Sequence, residues 1–182
     1  MLRFTRLHPT ALTAAQQAAA VRLRLTYDER VKQRLATMSV DGQAVAILLQ
    51  DIKRGSALPS GAVLAGDDGI FAIVEAAPQP VARITAESPL ALLRATYHLA
   101  NRHVAAQLAT DAVLIERDPV LEAMLRGLGA RVEQLEAPFD PEGGAYHGGH
   151  SHDHSRHNDV DEISATVGEQ LSIAAHRQLG RR

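Results

Sequence analysis

The sequence contains no cysteine and no tryptophan, and aromatic residues make up only 3% of its 182 residues. The absence of cysteine excludes disulfide scaffolds, thiolate zinc fingers, iron–sulfur clusters and cysteine nucleophiles. Hydrophobic residues still make up 46% of the chain, so we expect a packed core built mainly from Leu, Val, Ile and Ala. The length fits one ordinary domain or two small ones.

The chain also has no large excess of positive or negative charge, because its formal net charge is only -2. A nearly neutral chain has no global attraction to nucleic acid or to anionic membranes, and we expect neither as a partner. No apolar run of about 18 residues occurs, and no apolar signal segment follows Arg3, Arg6 and His8 near the N-terminus. These features predict a cytoplasmic protein.

The first half of the chain has the pattern of short β-strands. Between residues 29 and 35, the basic residues Arg30, Lys32 and Arg34 alternate with other residues, which predicts a strand with one solvated face. Nucleic-acid binding by this basic row is disfavoured because no aromatic residues are interleaved with it. We therefore interpret it as a solvated sheet face.

Turn signals divide the rest of this half. Asp41-Gly42 predicts a hairpin turn, and the apolar run over residues 44–49 predicts a buried strand after it. Another strand is predicted over residues 70–74. Such spacing favours a small antiparallel sandwich or barrel. The repeat Pro78-Gln79-Pro80 is interpreted as the linker that ends this domain.

The second half alternates strands and helices in the order β-α-β-β-α-β, which is that of a ferredoxin-like domain. Ser88-Pro89 and Asp118-Pro119 each combine an N-cap residue with proline at the first helical position, and so predict two helix starts. Gly129 is expected to end the second helix. In chain order, the predicted elements are a strand over 81–85, a helix over 89–102, strands over 104–108 and 112–116, a helix from Asp118, and a strand over 131–136.

The expected fold class is therefore α+β. It comprises a small all-β domain over residues 1–78, a ferredoxin-like domain over residues 79–140 and a flexible His-rich tail over residues 141–182. Core signals vanish from Pro138 onward, where proline and glycine dilute the sequence. Apolar residues recur at roughly helical spacing over residues 160–182, which predicts only a short amphipathic helix there.

Five of the nine histidines lie between residues 147 and 157 of this tail, namely His147, His150, His152, His154 and His157. Neutral imidazole is a good ligand for Ni(II), Cu(II), Zn(II) and Co(II), and small neighbours let several rings converge on one ion. Protons compete for the same nitrogens, so bound metal should be released below about pH 6. The tract predicts exchangeable metal binding, while a cloning tag or a biased tail without a selected role stay open as alternatives.

His103 follows the first helix predicted in the second domain, in Asn101-Arg102-His103. Taken alone, a histidine at a helix end is more typical of a cap or a surface residue than of a ligand. His98 is better explained as a helix-surface residue, and Asp118 as an N-cap. No Ser/His/Asp arrangement, phosphate-binding glycine loop or catalytic carboxylate pair is recognisable, so the residues do not indicate an enzyme.

Several motifs, in order and spacing, resemble those of the UreE family of urease nickel metallochaperones. The similarity extends along nearly the whole chain before the tail. The matching motifs are Asp28-Glu29-Arg30, Asp41-Gly42 and Arg54-Gly55 in the first domain, and residues 97–103, 120–125 and 138–146 in the second. Each motif is weak alone, but their combination is specific.

The resemblance implies a carrier of Ni(II), not an enzyme, which could also bind Zn(II), Cu(II) or Co(II). It implies a homodimer in which the two copies of His103 meet at the twofold axis. Because one imidazole per subunit gives only two ligands, the tail histidines of both chains are candidates for the rest. The implied partners are the urease apoprotein and the urease accessory GTPase complex, and the implied role of the first domain is peptide binding or docking.

Two departures from the family pattern are visible. Ala100 stands where the family usually has glycine before Asn-Arg-His, and Arg117-Asp118-Pro119 stands where some relatives have a His-x-His pair. We therefore expect that accessory metal site to be missing. Two other functions stay open, which are a nickel or zinc storage or detoxification protein with the same tail, and a peptide-binding chaperone whose tail is incidental.

Overall fold

The structure is a computed structural model that describes residues 1–50, 52 and 55–143. All of these residues belong to one compact unit, Met1–His147. The histidines from His147 to His157 and the helix predicted over residues 160–182 lie outside the described residues.

Six strands of the first half form one sheet, accompanied by two short helices. The elements are β1 (Leu2–His8), α1 (Ala14–Ala19), β2 (Val21–Leu25), α2 (Tyr27–Arg30), β3 (Arg34–Met38), β4 (Ala44–Leu48), β5 (Val63–Gly66) and β6 (Phe71–Ala76). The strand order is β2-β6-β5-β1-β4-β3. A core of buried residues lies against this sheet, including Phe4, Leu23, Val45, Ile47, Leu64 and Val74.

The expectation of an antiparallel, purely β first domain is wrong in two respects. Strands β1 and β4 pair in parallel, and so do β2 and β6. Parallel neighbours need a crossover of a dozen or more residues, and the chain provides one because both pairs are far apart in sequence. The domain also contains the helices α1 and α2, so its sheet is mixed and its class is α+β.

The strand predicted over residues 29–35 is wrong in its first half. Glu29 folds back to Thr26, whose backbone N–H and hydroxyl donate to its carboxylate at 2.9 and 3.0 Å. This local capping arrangement starts α2 and prevails over the alternating pattern. As a result Arg30 is 0% exposed, whereas Lys32 and Arg34 are exposed. The solvated basic face therefore does not include Arg30.

The predicted hairpin turn and buried strand are confirmed. Gly42 has a φ of 77°, which suits glycine, and the turn joins β3 to its antiparallel partner β4. The Ser39 N–H donates to the Gln43 carbonyl at 2.8 Å and closes the turn. Val45 and Ile47 of β4 are buried, as a continuous apolar run in this place requires.

The second half forms a four-stranded sheet with two helices. The elements are β7 (Pro78–Thr85), α3 (Pro89–Ala100), β8 (Gln107–Leu108), β9 (Val113–Glu116), α4 (Pro119–Gly127) and β10 (Arg131–Pro138). The sheet is antiparallel in the order β10-β7-β9-β8. Buried apolar residues of both helices and of strands β7 and β9 form its core, including Ala82, Ile84, Leu99, Ile115 and Leu125.

The predicted helix starts are confirmed, since both capping residues act as expected. Ser88 accepts a hydrogen bond from the Ala91 N–H at 3.2 Å. Asp118 accepts hydrogen bonds from the N–H groups of Val120 and Leu121 at 2.8 and 3.0 Å. Gly129 follows α4 with a φ of 83°, as the predicted stop signal requires.

The interpretation of Pro78-Gln79-Pro80 as a linker is wrong. These residues begin β7 and pair in register with the end of β10, from Pro78 opposite Pro138 onward. Both prolines are tolerated because β9 pairs with β7 only from Val81, so this end of β7 has a partner on one side alone. The buried Gln79 accepts from the Tyr27 N–H at 2.7 Å and donates to Glu116 at 2.8 Å, which ties the two halves together.

Candidate functional site

Helix α3 exposes an apolar face, which we call the α3 face and define as Leu90, Leu93 and Tyr97. These side chains are 57%, 65% and 63% exposed. They lie three and four residues apart and therefore on one side of the helix, while Ala95 and Leu99 on the other side are buried. The apolar spacing that predicted this helix thus marks its exposed side. A contiguous exposed patch of this kind is typical of a protein interface.

His103 lies just beyond the C-terminal end of this helix. Its N–H donates to the Ala100 carbonyl at 3.0 Å, so the backbone turns sharply after α3. Its φ is 54°, and among the described residues no other non-glycine residue has a positive φ. Histidine tolerates this left-handed region better than most residues, at a cost on the order of 1 kcal/mol. A left-handed residue commonly ends a helix, and here the Val104 N–H donates to the Leu99 carbonyl at 3.4 Å across the turn.

The imidazole of His103 does not cap the helix. Arg102 contacts the helix end instead, because its Nη1 donates to the His98 carbonyl at 2.9 Å. His103 itself is exposed. Of the two interpretations of His103 taken alone, the structure therefore supports the surface residue and not the side-chain cap.

His103 has no metal-binding cluster around it in the described part of the chain. No group of three or more His, Asp or Glu side chains there is arranged to hold a metal ion. The other histidines predicted as ligands, His147, His150, His152, His154 and His157, lie outside the described residues.

A buried arginine network, which the sequence did not predict, fixes the chain just before the tail. Arg30 Nη1 donates to the Leu58 carbonyl at 2.7 Å and to Asp140 Oδ1 at 2.6 Å, and its Nη2 donates to the Phe139 carbonyl. Phe139 is fully buried and packs edge-on against Tyr27, with 5.4 Å between ring centroids. Residues of the first domain therefore bind the segment that follows the last strand of the second domain.

The same segment is also bonded to the second domain. The Asp140 N–H donates to Gln107 Oε1 at 2.8 Å, and the Glu142 N–H donates to the Ala106 carbonyl at 2.9 Å. The other carboxylate oxygen of Asp140 accepts from the Ser60 N–H at 3.1 Å. We call residues 139–142 the strap. It lies against residues 106 and 107, three and four positions after His103.

The pKa values of two groups, neither of them near His103 in the sequence, are shifted. The pKa of the buried Glu122 is lowered, chiefly by the hydrogen bond from Gln134 at 2.6 Å and further by Arg117 and Arg126, although burial opposes the shift. Burial, together with the charge of Glu116, raises the pKa of Tyr27. The Glu122 carboxylate accepts hydrogen bonds from all three partners, so its role is structural.

Two family models match the chain. The N-terminal domain of the UreE urease accessory protein matches residues 4–77, and its C-terminal domain matches residues 79–164. None of the helices in the described residues has both the length and the apolar character needed to cross a membrane.

Curated relatives agree with these matches, and each is named urease accessory protein UreE. The protein of Burkholderia lata is 48% identical over 143 residues, which cover 79% of this chain and 68% of the relative. That of Ralstonia nicotianae is 44% identical over 157 residues, which cover 86% and 73%. That of Burkholderia orbicola is 47% identical over 143 residues, which cover 79% and 69%. The chain therefore belongs to the UreE family of urease accessory proteins and is an accessory protein of urease maturation, not an enzyme.

Proposed function

We propose that this protein is a metallochaperone that binds Ni(II) and delivers it to the urease apoprotein and its accessory GTPase complex. The observation that carries the proposal is the exposed His103, held in a left-handed turn beside an uncovered apolar helix face. A single imidazole cannot saturate a transition metal ion. An incompletely coordinated ion is suited to transfer, because a partner that offers more donors can remove it.

The α3 face supports a homodimer. Covering Leu90, Leu93 and Tyr97 with the same face of a second copy would remove apolar surface from water at no cost in buried charge. A twofold contact is isologous, so a residue close to the axis meets its own counterpart. The proposed axis passes beside the turn at the C-terminal end of α3, so that the two copies of His103 meet there.

The tail histidines are the proposed further ligands of the same ion. The strap is bonded to Ala106, and His147 follows Glu142 by five residues. At about 3.5 Å per extended residue, His147 can reach roughly 17 Å from the strap. The proposed metal ligands are His103, His147, His150, His152, His154 and His157. The cargo is Ni(II), and Zn(II), Cu(II) or Co(II) can compete for the same nitrogens.

We also propose a division of tasks along the chain. Residues 1–78 form the peptide-binding or docking domain, residues 79–140 the ferredoxin-like metal-binding and dimerisation domain, and residues 141–182 the metal-binding tail. The ranges of the two family models, 4–77 and 79–164, support the first boundary. The β-α-β-β-α-β order and the sheet order β10-β7-β9-β8 support the ferredoxin-like assignment.

Nickel titration by calorimetry tests the proposal directly. We expect His103→Ala to weaken the tightest binding step by more than about tenfold, since it removes a ligand from each copy of the dimer. His98→Ala is the control, because it removes a histidine from the same helix; its side chain is half-buried beside Tyr97, with 5.6 Å between ring centroids. An unchanged tightest step in His103→Ala would show that this histidine is not a ligand.

Delivery needs a separate test. In a mixture of apo-urease, the accessory GTPase complex and the nickel-loaded protein, a metallochaperone raises urease activity above the level reached with an equal amount of free nickel. A storage or detoxification protein withholds the ion and lowers that level. A peptide-binding chaperone with an incidental tail acts equally well when the tail histidines are replaced by alanine.

A further inference from the structure

His103 is joined to the second sheet by a short connection that ends on a weakly paired strand. Residues 104–106, which we call the connection, lie between the turn after α3 and β8, and they belong to neither a helix nor a strand. Strand β8 has two residues, Gln107 and Leu108, which pair with β9. It is the outermost strand of its sheet, and in the described part of the chain no strand pairs with its other edge. The sheet alone therefore holds the connection weakly.

The strap adds two hydrogen bonds at the end of this connection. The Asp140 N–H donates to Gln107 Oε1 at 2.8 Å, and the Glu142 N–H donates to the Ala106 carbonyl at 2.9 Å. One bond is made by a side chain of β8 and the other by the backbone of the connection. The chain that follows His103 is thus fixed to the strap at two adjacent residues.

The strap is in turn anchored in the first domain. The Asp140 carboxylate accepts hydrogen bonds from Arg30 Nη1 at 2.6 Å and from the Ser60 N–H at 3.1 Å. Phe139 is fully buried, and its carbonyl accepts a hydrogen bond from the same guanidinium. Because Arg30 has no solvent-exposed surface, releasing this anchor would leave a buried charge without its partners. The connection is therefore held firmly, and it is held from the other domain.

The backbone conformation of His103 needs support on both sides. Its φ of 54° is one that glycine adopts more readily than histidine. Such a conformation persists in a residue with a side chain only where the surrounding structure holds it. On one side the His103 N–H is bonded to the Ala100 carbonyl of α3. On the other side, Ala106 and Gln107 attach the connection to the strap.

We propose that Gln107 is a positioning residue for His103. By binding the strap, it holds the connection in place and so preserves the left-handed turn from which the imidazole binds the metal ion. Residues of the first domain that anchor the strap thereby act on metal affinity without supplying a ligand. This inference rests on the proposed function only in requiring that His103 is a ligand.

The expected size of the effect follows from the cost of the left-handed backbone. When the strap is released, His103 can relax to ordinary backbone conformations, which are favoured over the left-handed one by roughly fivefold. The apparent affinity for a ligand falls in proportion to the fraction of molecules that keep the binding conformation. The nickel dissociation constant should therefore rise about fivefold if one copy of His103 must be in place, and up to about 25-fold if both must be.

The test titrates full-length chains with nickel ions. Two strap variants are used: Gln107→Ala removes the acceptor of the Asp140 N–H, and Asp140→Ala removes the carboxylate that ties the strap to the first domain. Gln134→Ala is the matched control, because it also removes a hydrogen-bonded glutamine amide of the second domain, whose partner is Glu122 at 2.6 Å. Its strand, β10, lies at the opposite edge of the sheet from β8. Each variant is also made in a His103→Ala background.

We expect both strap variants to raise the nickel dissociation constant by at least about fivefold when His103 is present. In the His103→Ala background they should leave the remaining nickel binding unchanged. Gln134→Ala should lower thermal stability but should not change nickel affinity in either background. Amide hydrogen exchange at His103 and Val104 should become faster in both strap variants, because the turn is no longer held. A merely structural role for Gln107 would lower stability without making the change in nickel affinity depend on His103.

The inference is overturned if the amides of His103 and Val104 exchange no faster in the strap variants, or if they exchange faster while nickel affinity stays the same. An equal loss of nickel affinity with and without the His103 imidazole would overturn it as well. The proposed function is decided separately, by the titration of His103→Ala. If that variant loses tight binding while both strap variants bind nickel like the wild type, the positioning role alone is refuted. Unchanged binding in His103→Ala refutes His103 as a ligand and the positioning role with it.

Discussion

Replacing Arg30 by methionine should destabilise the protein far more than the same change at Arg34. The two arginines belong to one alternating row in the sequence, but Arg30 is 0% exposed and Arg34 lies on the exposed side of β3. Methionine has about the length of the aliphatic stem of arginine and keeps its apolar contacts, so both variants mainly lose the guanidinium. The comparison therefore isolates the buried polar network.

The magnitude can be worked from the acceptors. Arg30→Met leaves the buried carbonyl groups of Leu58 and Phe139 without this donor, and deprives Asp140 of its cation. Breaking a buried ion pair by removing one partner costs about 3–5 kcal/mol. The Asp140 side chain is 37% exposed and can regain water, so we expect the lower end, about 3 kcal/mol. Arg34→Met should stay within about 0.5 kcal/mol of the wild type.

Urea unfolding followed by far-ultraviolet circular dichroism measures both values. At this chain length, a loss of about 3 kcal/mol corresponds to a fall in Tm of roughly 6–12 °C, which thermal unfolding can check independently. The reasoning is refuted if Arg30→Met unfolds within about 0.5 kcal/mol of the wild type, or if Arg34→Met is destabilised as much. The first outcome would mean that the buried network adds no net stability, and the second that burial does not distinguish the two arginines.

Two further predictions concern the second domain. Tyr97→Glu on the α3 face should convert dimers to monomers, as measured by sedimentation velocity. The control Val120→Glu, on the exposed side of α4, should leave the dimer intact. If Tyr97→Glu stays dimeric, the interface lies elsewhere. Because the folded pKa of Glu122 lies below its ordinary value of 4.5, its stabilising contribution is present above that pH and is lost as the pH falls through the folded value. At neutral pH, Glu122→Gln should therefore unfold at a lower urea concentration than the wild type, and it should lose less stability on acidification. The exposed control Glu133→Gln should keep the pH dependence of stability seen in the wild type. Equal loss of stability on acidification in the wild type and Glu122→Gln would contradict this prediction.

Local signals predicted the second domain well because each depends on neighbouring residues only. Ser88 and Asp118 satisfy donors two or three positions ahead of them, and Gly129 ends a helix through its own backbone freedom. Such signals do not require knowledge of what the helix packs against. The apolar residues of α3 show the limit of this reasoning, since their spacing predicted the helix but not which side would be buried.

The first domain was predicted less well because two local patterns competed there. Thr26 and Glu29 stand at the spacing of a capping box, and the basic residues from Arg30 onward alternate as in a strand. The capping arrangement forms, and it turns Arg30 inward. What then decides the position of Arg30 is Asp140, 110 residues away, and no local pattern connects the two.

Prediction of the candidate site from the sequence is limited for a different reason. Under the proposed function, two chains contribute to the site, so one chain does not contain all of it. The sequence pointed to His103 and the tail histidines only as separate features, and the conformation of His103 in a left-handed turn leaves no signature in its neighbours. A pair of imidazoles at a twofold axis imposes little geometry on an ion. Nitrogen ligands generally bind Cu(II) more tightly than Ni(II), so such a pair cannot select nickel by affinity. Under that function, selectivity arises where the ion is handed over, from the donors that the receiving partner arranges around it, and incomplete coordination by the carrier is what allows the ion to leave.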